Sequence, residues 1–261
     1  MDPNIRAKNV FEKDFLNFGD NDAVVPTPKL TRKQKKHRFQ FVNRIYALSL
    51  LCVILAALQW YYICKNTDFD LYIKQNNYFS PVWIAAMFVF IVAFIGFYNY
   101  LVDSFMFFPL LFITAEFSTT VVAQPIRIAV AAGSVYGIFF CLIVVPISYL
   151  VSLNAPYYMH IPPLSIISWT IRLYLLITIS MVVIVACEYT VIEYTYALFA
   201  TTFIALYCCT FGKTIGSYQF YEAEHRRWIL YTLMSYITFL TLLGSSMFLF
   251  VKVKSLKLIH N

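Results

Sequence analysis

Charge is what this chain lacks most. Only 13% of its 261 residues are Asp, Glu, Lys or Arg, about half of the roughly 25% usual in globular proteins. So few charges cannot solvate the surface of a soluble domain this size. A soluble enzyme, a nucleic-acid-binding domain and a disordered chain are all excluded on this ground. Histidine is scarce too: His37, His160, His225 and His260 all fall in tails or loops, with no nucleophile or ligand at a standard spacing. The six cysteines form no CxxC pair, which argues against zinc. Neither a metal, a cofactor nor an enzymatic activity is expected. No Asn-x-Ser/Thr sequon occurs, and residues 1–38 are too polar to be a signal peptide, so the first span must target the protein.

What is abundant is apolar surface. Hydrophobic residues make up 61% of the chain, aromatics 19%, and the mean hydropathy is +0.69. The apolar residues lie in long runs and not in the short alternating segments of a membrane barrel. The expected fold is all-α, a polytopic transmembrane bundle of about seven helices. Runs of about 20 apolar residues, enough to span a bilayer, lie near 45–64, 81–101, 105–124, 128–150, 164–187, 194–212 and 228–251. Polar or Pro-bearing breaks separate them, among them QPIR at 124–127 and NAPYYMHIPP at 154–163.

Three regions follow. Residues 1–44 form a disordered cytosolic tail ending in a basic collar, 45–251 the bundle, and 252–261 a short basic C-terminal tail. Residues 1–44 carry 10 Lys/Arg against 5 Asp/Glu, whereas 45–261 carry 10 against 8. The collar holds Arg32, Lys33, Lys35, Lys36, Arg38 and Arg44, which favours a cytosolic N-terminus and suits an anionic lipid surface. Seven crossings put Lys252, Lys254 and Lys257 on the opposite side, against the charge rule. The path of the last helix therefore stays open at this stage.

Within the apolar runs, Glu116 and Arg172 stand out. A charge at membrane depth costs at least about 2.5–3.5 kcal/mol and persists only if paired, protonated or wet. Counting about 1.5 Å per residue from the inner side puts Glu116 roughly 17 Å deep and Arg172 roughly 12 Å. A Glu116–Arg172 pair inside the bundle is one expectation. A protonated Glu116 on a Ser/Thr hydroxyl, with Arg172 snorkelling alone, is the other. Gly133 and Gly137 form a small-xxx-small motif read as helix packing in the fourth span. Gly212 and Gly216 form a second, read more simply as a helix stop. Pro146 is expected to kink the fourth span. Cys208 and Cys209 read as buried, inert thiols. A Cys64–Cys187 disulfide would require an oxidising lumen.

Four stretches carry a family resemblance. FVNRIYALSLLCVILAAL (41–58), FITAEF (112–117), FIALYCC (203–209) and WILYTLMSYITFLTLL (228–243) resemble the first, third, sixth and seventh spans of the Bax-inhibitor / lifeguard / Golgi anti-apoptotic (transmembrane BAX inhibitor motif) family. The match covers most of residues 38–250. It places Glu116 on the family's third-span glutamate. It implies an ER or Golgi protein that modulates calcium homeostasis or apoptosis. The family's paired aspartates, implicated in pH-gated calcium leak, fall here on Tyr207 or Cys208 and on Tyr236. Two close carboxylates share a proton and titrate as a unit; a thiol and a phenol do not. The chain thus resembles a divergent member that has lost this sensor and acts through helix packing and membrane-protein partners. A small-ion channel or transporter using Glu116 and Arg172, or a non-conducting scaffold, are the alternatives. Nucleic acid is not an expected partner.

Overall fold

The computed structural model describes residues 31–66, 68, 89–91, 93–94, 97, 101, 104–154, 176, 190–216 and 227–259. Among the described residues there are helices and no strands. Five are long and apolar enough to cross a membrane: α1 (Arg32–Lys65), α2 (Phe107–Ala131), α3 (Tyr136–Asn154), α4 (Thr190–Gly216) and α5 (Trp228–Ile259). They correspond to five of the seven expected spans. The runs at 81–101 and 164–187 lie almost wholly outside the described residues, as do residues 1–30.

Helix ends differ from the expected ones for identifiable reasons. α1 begins at Arg32 and not at 45, because a capping box opens it there. Thr31 Oγ1 accepts the Gln34 backbone N–H at 3.3 Å, and Gln34 Oε1 accepts the Thr31 N–H at 2.9 Å. The basic collar is therefore helical. With 34 residues α1 is about 51 Å long, against roughly 30 Å of hydrocarbon core. α2 does not break at QPIR. It runs through Pro125 to Ala131, as membrane helices can where neighbours accommodate the lost N–H. The turn comes at Gly133, whose φ of 62° favours glycine. Gly133 thus belongs to the α2–α3 turn and not to a span, a correction to the packing role expected of it. α3 continues through Pro146.

α5 packs against all four other helices. On one side lies α2; on the other, α3 and α4 pack closely together. Two buried clusters divide the bundle. In the first, Phe41, Val42 and Ile45 of α1 meet Phe107 of α2, Phe211 and Ile215 of α4 and Tyr231 of α5. In the second, Ala56 and Trp60 meet Val122 and Ile126, Cys141, Cys208, Tyr236 and Met247. The collar end of α1 therefore lies beside the starts of α2 and α5 and the ends of α3 and α4. α1, α2 and α5 run one way, and α3 and α4 the other. α5 runs the full length of the bundle: at its far end the Lys254 ammonium donates to the Ala132 carbonyl, in the turn after α2.

Candidate functional site

Glu116 sits on α2, nine residues from its collar-side end and about 14 Å along the helix axis. Its side chain is half-buried. The Gln59 amide of α1 donates to Glu116 Oε2 at 3.0 Å. One turn further along α2, a second bridge joins three helices. Trp60 Nε1 donates to the Thr119 carbonyl at 2.9 Å, and the Thr119 and Tyr236 hydroxyls lie 2.6 Å apart. Thr119 Oγ1 also lies 2.8 Å from the Ala115 carbonyl as a donor. Its single proton is committed there, so Tyr236 donates to Thr119. α1, α2 and α5 are thus joined near the middle of α2 by one carboxylate, one amide, one indole and two hydroxyls.

Chemically this centre places one carboxylate among neutral hydrogen-bonding groups. A hard cation would need six or more oxygen ligands. Among the described residues, no group of three His, Cys, Asp or Glu could hold a metal.

Other positions singled out by sequence converge on the same region. Cys208 and Tyr236 are buried in one cluster, and Tyr236 reaches the helix turn that carries Glu116. Tyr207 does not join them; it stacks on Phe211 with ring centroids 5.7 Å apart. Arg172 lies outside the described residues, so the pairing found for Glu116 is with Gln59. Cys64 is a free thiol, and Cys187 lies outside the described residues. Gly137 packs directly on α5, where an added Cβ would sit 2.7 Å from the Met247 nitrogen. The motif read as a helix stop lies at the end of α4, which runs to Gly216, and is also a packing face. Gly212 and Gly216 lie on α4 opposite Ser148 and Ser152 of α3, and a Cβ on Gly212 would meet the Ser148 carbonyl at 2.6 Å.

Nearer the collar is a second polar group. Tyr46 of α1 places its hydroxyl 3.0 Å from Ser148 Oγ and 2.8 Å from Ser152 Oγ. Ser148 donates to the Cys208 carbonyl at 2.8 Å, and Tyr149 to Asn43 Oδ1 at 2.7 Å. Above it the Arg38 guanidinium donates to the carbonyls of Gly216 at 2.7 Å and Leu153 at 2.8 Å. One cation thus serves the C-terminal ends of α3 and α4, where helix dipoles favour positive charge.

Sequence reading missed Gln59, Thr119 and Arg38's inward role. Gln59 had a signal, as the one amide in the run ILAALQWYY. Arg38 had none, because in composition it is simply one more collar charge. No known family's sequence pattern, no curated protein and no solved structure matches the chain.

Proposed function

We propose that this protein is a seven-crossing endomembrane regulator of calcium handling or cell-death signalling, of the Bax-inhibitor type, with a cytosolic N-terminus. The crossing number is supported by the ends of the five helices. α1 ends on the face opposite the one where α2 begins, and α3 ends opposite the start of α4. Each connection must then traverse the bilayer an odd number of times. The apolar runs at 81–101 and 164–187 are each long enough for one passage.

One observation carries the functional reading. Glu116, Cys208 and Tyr236 lie on three different spans; Glu116 stands out by its charge, and the resemblance adds Cys208 and Tyr236 to it. Cys208 and Tyr236 nonetheless share one buried cluster, and Tyr236 is bonded to the residue one turn from Glu116. By the resemblance, a thiol and a phenol replace the family's carboxylate pair. Glu116 is the carboxylate that remains beside Tyr236, and control of efflux is assigned to it.

Calcium efflux from vesicles reconstituted with the purified chain, measured across weakly acidic to neutral pH, tests this. Efflux should exceed that of empty vesicles, and Glu116→Gln should lower it. No efflux above that of empty vesicles, from protein shown to be folded, would defeat the reading. A second reading is favoured because, among the described residues, the Glu116 carboxylate accepts one side-chain hydrogen bond and can accept about four. It is a small-ion channel or transporter through Glu116 and Arg172, for which monovalent flux would exceed calcium flux. Co-purifying membrane proteins without any flux would point to a scaffold.

A further inference from the structure

The collar's cations have two destinations. Arg38 turns inward onto α3 and α4. Lys36 and Arg44, eight residues and about 12 Å apart along α1, are exposed. They flank an open groove of about 490 Å³ lined also by Phe39, Gln40, Asn43 and Ala47. α1 carries no carboxylate anywhere from Arg32 to Lys65, so the helix offers these cations no internal counter-ion. Below Ala47 the same helical face continues as Leu51, Ile54 and Leu58, each at least half exposed. From Arg44 to Ile54 is ten residues, about 15 Å, the hydrocarbon depth of one leaflet. A cationic, hydrogen-bonding head thus stands above an apolar track of one acyl chain's length.

We propose that this groove is a binding site for one anionic phospholipid of the collar-side leaflet. Its phosphate sits between Lys36 and Arg44, Gln40 and Asn43 hydrogen-bond the headgroup, and an acyl chain lies along Leu51, Ile54 and Leu58. Ala47 forms the floor, where a larger side chain would occupy the space of the glycerol. The site is independent of the calcium reading, since it uses none of the residues around Glu116.

The test titrates the full chain, in phosphatidylcholine nanodiscs, with phosphatidylserine and reads retained lipid by native mass spectrometry. Lys36→Gln with Arg44→Gln should weaken phosphatidylserine binding about 25-fold, the factor expected for losing two surface cations. Arg32→Gln with Lys35→Gln removes equal charge from the outer turn of the collar and should change it less than about twofold. Ala47→Trp keeps every charge and should also abolish retention. Equal losses in the two charge variants would overturn the site in favour of diffuse attraction. Undiminished binding in Ala47→Trp would overturn the groove. Equal retention of added phosphatidylcholine would overturn the charge argument, and equal affinity for soluble glycerophosphoserine would overturn the acyl track. Melting temperature without phosphatidylserine reports folding. If it falls in the Lys36/Arg44 variant, Ala47→Trp and the soluble headgroup decide.

Discussion

α1 and α5 have similar lengths and opposite situations. The most apolar window of α1 has a mean hydropathy of 2.1 and is 28% buried; that of α5 has 1.7 and is 56% buried. In water the more apolar helix would be the inner one. In lipid the tails are as apolar as leucine, so hydrophobicity does not sort helices, and close packing with hydrogen bonding does. α5 carries Gly244, Ser245, Ser246 and several threonines through its length. Its Ser246 reaches the Gly137 carbonyl of α3 at 3.3 Å. α1 turns Leu50, Leu51, Leu55 and Leu58 outward. The two helices show that membrane burial is read from small and hydroxyl-bearing residues, and lipid contact from leucines.

Gly137→Val would break the contrast most severely. The new side chain would meet the α5 backbone at Met247 and push α3 off the central helix. A loss of about 3 kcal/mol is expected, read as the thermal unfolding midpoint in detergent. Tyr236→Phe should cost about 0.6–1 kcal/mol, the range of interhelical hydrogen bonds in membranes. Thr119 keeps its bond to Ala115, so no buried donor is stranded. Leu55→Ala, on the outward face of α1, sharpens the comparison from the other side. Its effect should stay within about 0.5 kcal/mol, although the same truncation in a water-soluble core costs about 2–5 kcal/mol. A loss at Leu55 as large as that at Gly137 would mean that α1's outward face is covered by protein.

Much of the helical architecture was legible. Length and hydropathy gave the five spans that α1 to α5 occupy, because insertion into a bilayer depends on little else. Their ends were less legible. The collar looked like tail because its composition is polar, yet the Thr31–Gln34 capping signature stood in the sequence. Pro125 looked like a break because proline ends helices in water, and Gly133 was the true stop. The arrangement of helices was hardly legible at all. No window average separates a central helix from a peripheral one when the central one is the less apolar. At the site, Glu116 announced itself through the cost of its charge. Its partner Gln59 is neutral, and its convergence with Tyr236 depends on which helices touch. The glycines at 212 and 216 were visible as a motif, but Ser148 and Ser152, which make it a packing face, were not visible as its partners.

The central position of α5 bears on how the protein is made. A ribosome delivers α5 only after α1, α2, α3 and α4. Until Trp228 and the residues after it emerge, α3 and α4 can pack on each other, but the helix that both they and α2 pack against is missing. Gly137 faces no partner, and the Thr119 hydroxyl has no phenol to accept from. The contacts of α1, α2, α3 and α4 with the central helix therefore form only after all four have been made. A premature stop ahead of residue 228 would leave α1 to α4 intact but would take away the axis of the bundle. The cell's quality control should treat such a product as an orphan span set rather than as a slightly shortened protein.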